Sequence, residues 1–328
     1  MSRADDGMSR TVLPYQVPLT TRFRGLTERD GVLVLGPAGW AEFAPFWDYG
    51  LAASRPWWRA AREAADVGWP EPVRARVPVN VTVPAVGPEQ ARQIVARAGC
   101  TTAKVKVAER GQEPAQDDAR VAAVREALGP GGRIRVDANA AWDVETAVAR
   151  IRALDRVAGG LEYVEQPCRT VEDLVAVRRR VDVPIAADEA IRLADDPMAA
   201  VRAGACDVVV LKVAPLGGVR ACLDLAERVG LPVVVSSALE TSVGLAAGVA
   251  LAAALPELPY ACGLGTARLL AADVVAHPLL PVDGAIPVRR PEPDPDLVAA
   301  AAQRAAEAGL DVRWRNRVRA VQVLEEER

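Results

Sequence analysis

The sequence predicts an α/β chain of eight parallel strands closed into a barrel, with a smaller α+β unit assembled from both chain ends. Three observations lead to this. From about residue 77, short β-branched runs alternate with longer Ala/Arg/Glu-rich stretches of helical period, the pattern of βα units on a parallel sheet. About eight alternations fit into roughly 200 residues, more than an open doubly wound sheet usually holds. The first 76 residues and those after 284 break the rhythm, and a tail of about 45 residues is too short to build a core of its own. It is therefore expected to pack back onto the N-terminal piece. The expected units are 1–76, 77–284 and 285–328.

Taken in order, the N-terminal unit carries a strand-like VLVL at 32–35, an aromatic cluster (Trp40, Phe43, Phe46, Trp47, Tyr49) expected as its core, and a helical segment over 57–67. Barrel strands are predicted at 77–83, 103–107, 134–136, 161–164, 185–187, 208–211 and 233–235, with a weaker one at 260–262. Helices are predicted over 88–97, 117–128, 144–154, 171–180, 218–229 and 241–255. After the proline-rich PVRRPEPDPD come an Ala-rich helix and a strand-like VRAVQVL at 318–324.

Composition narrows the function. The chain has 328 residues, 51% hydrophobic and 25% charged, a globular balance. Forty basic residues against 43 acidic ones give a net charge of −3, so no basic field for a nucleic-acid backbone is evident. The longest apolar run, 243–255, falls short of the roughly 20 residues that span a bilayer, and MSRADDGMSR at the N-terminus has no apolar signal core. A cytoplasmic protein with no membrane partner is expected. Five cysteines (Cys100, Cys168, Cys206, Cys222, Cys262) form no CxxC pair and suit buried thiols in a reducing compartment. The single histidine, His277, excludes a zinc site built on several histidines and is expected in a surface loop.

Lysine use is sharper still. Only Lys104, Lys106 and Lys212 are lysines, so 37 of the 40 basic residues are arginine. Arginine does not release its proton in a protein, whereas lysine can be tuned to do so. A chain this biased is expected to keep lysine where proton transfer or a compact ammonium is needed.

Active sites of parallel barrels form at the C-terminal strand ends. There the sequence places Lys104 and Lys106 on strand two, Asp137 and Asn139 on strand three (VDAN), Glu165 on strand four (VEQP), Asp188 and Glu189 on strand five (ADE) and Lys212 on strand six (VLK). Strand alternation puts Lys104 with Lys106, and Asp137 with Asn139, on one face. Asp137, Glu165 and Asp188 on adjacent strands would repel one another without a cation between them, and hard oxygen ligands favour Mg²⁺, with Mn²⁺ as a substitute. The lysines would flank that cation from opposite sides. The chemistry this suggests is removal of a proton α to a carboxylate of a small-molecule substrate, with Lys104 as the like charge beside Lys106. Ser236, Ser237 and the GLGT loop containing Gly265 follow strands seven and eight and are candidates for a second substrate carboxylate; Arg24, with Arg22, could close over the substrate.

KVK, VDAN, VEQP, ADE and VLK together resemble the muconate-lactonizing subgroup of the enolase superfamily, over essentially the whole chain. The resemblance implies a modified (β/α)8 TIM-like barrel under an α+β capping domain built from both chain ends. It implies Lys106, the second lysine of KxK, as the base and Lys212 as its partner across the site. GWAEFAPF and the lid-like segment 21–25 (TRFRG) resemble most the o-succinylbenzoate synthases, magnesium-dependent lyases of menaquinone synthesis. In these the KxK lysine acts first as base and then as acid toward the departing hydroxyl. An N-succinylamino acid racemase with the same two lysines is the nearest alternative. A dipeptide epimerase fits less well, since Gly-Leu-Gly-Thr stands where that group has DxD, and a non-catalytic barrel scaffold is the alternative from another class.

Overall fold

The computed structural model describes residues 11–327; the decapeptide MSRADDGMSR lies outside them. Seven strands, Val81–Val83, Thr102–Lys106, Arg133–Asp137, Val164–Glu165, Ile185–Ala187, Val208–Leu211 and Val233–Val235, run parallel in sequence order with helices between them. Parallel neighbours need a long crossover, which the intervening helices supply, and helices covering the outer face explain the near-continuous Val/Ile/Leu/Ala runs. The predicted strand at 260–262 is reduced to bridges, Val79 with Cys262 and Ser236 with Gly263, which join the first strand to the seventh. Cys262 N–H donates to the Pro78 carbonyl at 2.7 Å and Gly263 N–H to that of Val235 at 2.8 Å. Pro259, Gly263 and Gly265 around this segment limit any longer ladder.

Three further expectations need correction. The predicted strand 77–83 is split: Arg76–Pro78 pairs antiparallel with Ala285–Pro287, and only Val81–Val83 joins the parallel sheet. Pro78, without an N–H, stands at the break. The strand-like 318–324 is helix, part of Leu310–Glu326. Its buried positions Leu310, Trp314, Arg317, Val318 and Val321 recur every three or four residues, and that period outweighs the β-branched content. The helix expected at 57–67 begins earlier, as Leu51–Arg62, and ends in a π-helical turn Glu63–Val67.

The cap is a three-stranded antiparallel sheet, Val12–Phe23, Leu26–Gly36 and Gly39–Phe43, covered by helices from both chain ends. Phe43 meets Trp58 and Trp314 edge-on at 5.3 and 6.0 Å between ring centroids. Of the expected aromatic core, Phe43 and Phe46 are buried, while Trp40, Trp47 and Tyr49 are only partly so. Arginines stitch the tail to the N-terminal unit through backbone carbonyls: Arg290 donates to Ala38, Trp40 and Ala64, and Arg317 to Pro45, Phe46 and Tyr49. The planar guanidinium satisfies several acceptors at once, which a lysine could not do. The five cysteines are buried and free, and His277 lies exposed in a loop. Among the described residues no helix is long and apolar enough to cross a membrane.

Cap and barrel meet over residues 239–244. Arg29, almost fully buried, donates to the carbonyl of Leu239, whose φ of +66° is a left-handed conformation uncommon for leucine. Glu42 accepts from Thr241 N–H at 3.1 Å, Gly244 N–H at 3.2 Å and the Tyr15 hydroxyl at 2.7 Å. Burial pushes the Glu42 carboxyl up to about 7, against the opposing charge of Arg29. Between the usual 4.5 and about 7 the folded chain therefore holds a proton that the unfolded chain has released. The stability linked to this group is present below 4.5 and lost as pH rises through 7, at up to about 1.4 kcal/mol per pH unit. Glu42→Gln is expected to lose less stability than the wild type between pH 4.5 and 7 in urea titrations. Parallel pH profiles for the two proteins would contradict this.

Candidate active site

Strand alternation builds the site in layers. Tyr163, Ala186, Val208, Val210 and Val234 form an apolar cluster of their own, and two residues along the same strands stand Glu165, Asp188, Lys212 and Ser236. Arg135 lies two residues before Asp137, where it donates to the Tyr163 hydroxyl at 2.9 Å and the Ala261 carbonyl at 2.8 Å and pairs with Glu162. Apolar packing and a fully paired arginine thus form a rigid floor below the polar residues.

At the C-terminal ends, Lys104 Nζ lies 3.2 Å from Asp137 Oδ2 and 3.0 Å from Glu165 Oε1. Lys106 Nζ donates to Asp137 Oδ2 at 2.5 Å and to Asn139 Oδ1 at 2.7 Å. Lys212 Nζ donates to Asp188 Oδ2 at 2.6 Å. Asp137 and Glu165 are direct register partners on adjacent strands, and the three carboxylates are at most 1% exposed. The lysine side chains grade outward, 7% exposed for Lys104, 17% for Lys106 and 12% for Lys212. Lys104 is thus enclosed by carboxylates, whereas Lys106 and Lys212 retain access to the mouth.

Electrostatics divide the carboxylates. Burial alone would raise Asp137, but Lys106 and Lys104 hold it well below the usual carboxylate range. Burial likewise opposes ionisation of Asp188, and Lys212 and Arg192 outweigh it. Glu165 goes the other way: burial raises it, and the charge of Asp137 raises it further against Lys104. Burial works against the Lys104 ammonium, yet Glu165 and Asp137 hold its proton more tightly than in water. Lys104 is therefore a fixed positive charge among the carboxylates, which suits it to the neighbour's role and not to the base's.

The donor set fits a hard divalent cation. Buried carboxylates that raise one another's proton affinity are stabilised by added positive charge, and Glu189 Oε2 is buried without a hydrogen-bond partner. Among the described residues no three His, Cys, Asp or Glu side chains are closed around one point; ammonium groups hold the carboxylates instead.

The remaining candidates differ in their surroundings. Asn139 joins the network, bridging Lys106 and Glu189. Ser237 instead donates to Glu240 at 2.6 Å and accepts from Thr266, while Ser236 is buried beside Gly263. A Cβ on Gly265 would stand 2.6 Å from the Asn80 carbonyl, so close backbone approach accounts for that glycine. Arg24 lies at a hairpin turn with φ +52°, pairs with Asp48 at 2.9 Å and covers the Phe46 ring at 4.0 Å. Its neighbour Phe23 is the residue of this hairpin that approaches the site, with its ring centroid 5.7 Å from Lys106 Nζ. Motif reading also missed Gln166, fully buried with φ +39°, whose Oε1 accepts from Asp188 N–H at 3.0 Å and Ala190 N–H at 3.1 Å. The only signal for it was its place in VEQP.

Comparison with known proteins adds independent findings. The family model described as enolase C-terminal domain-like matches residues 88–295, and the enolase N-terminal domain-like model matches 14–65. The chain is 66% identical over 307 residues to an o-succinylbenzoate synthase of Thermobifida fusca, covering 93% of this chain and 94% of that one. It is 55% identical over 280 residues to an o-succinylbenzoate synthase of Mycobacterium tuberculosis, covering 85% and 84%. In fold it is similar to muconate lactonizing enzyme from Pseudomonas fluorescens, with TM-score 0.75, 22% identity and 89% and 98% coverage. It is similar also to the L-Ala-D/L-Glu epimerase from Bacillus subtilis, with TM-score 0.73, 22% identity and 87% and 96% coverage.

Proposed function

The chain belongs to the enolase superfamily and, within it, to the o-succinylbenzoate synthases, and from that premise we propose how its residues carry the reaction. The enzyme is a carbon–oxygen lyase that dehydrates a succinyl-hydroxycyclohexadienecarboxylate to o-succinylbenzoate, a step of menaquinone synthesis. Enzymes of this superfamily are generally dependent on a divalent metal. In this chain the metal would be Mg²⁺, with Mn²⁺ able to replace it, and Asp137, Glu165 and Asp188 would hold it. When bound, it supplies positive charge against the substrate carboxylate as charge builds on it.

The observation that carries this reading is the pair of accessible lysines on opposite flanks of three buried carboxylates. Lys106 takes the proton α to the carboxylate, and Lys212 places its ammonium against the negative charge that develops. Lys106, now protonated, then returns that proton to the departing hydroxyl, which leaves as water as the ring becomes aromatic. Asn139 orients Lys106 through the 2.7 Å hydrogen bond. Phe23 limits water on the Lys106 side. Charge supports the assignment: with Lys106 neutral, as a base must be, Asp137, Glu165, Asp188 and Glu189 outnumber Lys104, Lys212 and Arg192 by one, so a divalent cation leaves the site one positive, the sign that draws in an anionic substrate. Ser236, Ser237, Gly265 and Arg24 are proposed to meet the succinyl end, and the enzyme to work in the cytoplasm.

The test is turnover of the cyclohexadiene substrate and of an N-succinylamino acid, side by side with Mg²⁺. Dehydration is expected to have the larger kcat/KM. Efficient racemisation with negligible dehydration would reassign the chain to the racemase, and inactivity on both would favour a scaffold.

A further inference from the structure

Both oxygens of the Asp188 carboxylate are held, one by Lys212 and the other by Arg192, a residue that the mechanism does not use. The Asp188 N–H is fixed by Gln166 and its carbonyl accepts from the N–H of Arg192 at 3.0 Å. Arg192, one turn later on the short helix Glu189–Arg192, sends Nε to Asp188 Oδ1 at 2.9 Å and Nη2 to Glu189 Oε1 at 2.7 Å. Its Nη1 donates to the hydroxyl of Tyr49, a cap residue. The Arg192 side chain is only 7% exposed, so each of these pairings matters to a guanidinium held largely out of water. Tyr49 is itself braced, its ring edge-on to Trp57 at 5.7 Å between centroids. With Oδ1 held by Arg192, Oδ2 is the oxygen turned to Lys212.

We propose that Arg192 is a positioning residue that commits Asp188 Oδ1 to the protein, so that Oδ2, the oxygen Lys212 holds in the free chain, is the one offered to the metal, and that the cap contributes to metal affinity by holding Arg192 through Tyr49. This rests on the assignment of Asp188 as a ligand. A single fixed oxygen is pre-organised for one-point coordination, whereas a carboxylate free to rotate must be ordered on binding. Partners that orient a ligand in this way typically alter metal affinity 10–100-fold when removed.

The experiment is direct Mn²⁺ binding to the full chain without substrate, read from the free-ion EPR signal, with circular dichroism and thermal melting as fold controls. Arg192→Met is expected to weaken Mn²⁺ binding by about 10–100-fold. Arg192→Lys should recover part of this, since an ammonium can meet Asp188 but cannot span Asp188, Glu189 and Tyr49 together. Tyr49→Phe should weaken binding several-fold and add nothing in the Arg192→Met background, because the hydroxyl acts only through the guanidinium. Asp188→Ala separates the proposal from its premise. If Asp188→Ala loses Mn²⁺ while Arg192→Met and Tyr49→Phe bind it as the wild type does, the positioning role is overturned and the ligand stands. If Asp188→Ala binds like the wild type, ligand and positioning role fall together. Should Arg192→Met not fold, Arg192→Lys and Tyr49→Phe decide, and unchanged affinity in both overturns the proposal.

Discussion

Alanine at Glu165 is expected to abolish turnover while the barrel stays folded. Glu165 sits on Lys104 and is the direct register partner of Asp137, so its loss removes one of three proposed ligands and the main counter-charge of a buried ammonium. The freed Lys104 charge would then oppose a cation in the same space. Alanine at Asp137 or Asp188 should act similarly, each leaving a lysine without its short contact. Treatment with EDTA should reproduce the loss in the wild-type protein, and added Mg²⁺ should reverse it there but not in the variants. Steady-state rates with and without chelator check this. Retained turnover in a metal-free sample would remove the metal from the account.

The two accessible lysines should respond differently to the same change. Lys106→Arg keeps the charge but cannot give up a proton, so the dehydration rate should fall by at least about 10³, within the range ascribed to general acid–base groups. Lys212→Arg leaves a cation beside Asp188 and opposite Lys106, so a dehydration that uses one base should retain more activity in this variant. Racemisation needs proton exchange on both faces, and there the two substitutions should be equally damaging. Solvent-deuterium exchange into an N-succinylamino acid, followed by NMR beside the dehydration rates, separates the cases. Equal loss of dehydration in both variants would give Lys212 a proton-transfer role.

The sequence made the barrel legible because a parallel sheet buried on both faces writes itself as repeated β-branched runs, and the cap because both chain ends break that repeat. Strand-end motifs were legible for a related reason: alternation alone puts Asp137 over Arg135 and Glu165 over Tyr163. What escaped was set by tertiary contacts. Pro78 divides one apparent strand between two sheets, and residues 318–324 look β-branched until the spacing of Trp314, Val318 and Val321 is counted. Arginine abundance hid Arg192, whose importance lies in its three partners, one of them from the cap. The lid-like segment 21–25 drew attention to Arg24, which the structure places on Asp48 and Phe46, while Phe23 beside it approaches Lys106. Gln166 was hidden because a buried amide that holds two backbone N–H groups has no spacing rule.

The account stands most directly on Lys106 as the base, and the decisive measurement is the dehydration rate of Lys106→Arg at saturating Mg²⁺, with Mn²⁺ binding to the same preparation confirming an intact site. The predicted result is metal affinity close to that of the wild type together with a rate lower by about 10³ or more. Turnover near the wild-type rate with the metal bound would contradict it, since the proton would then be leaving the substrate by another route.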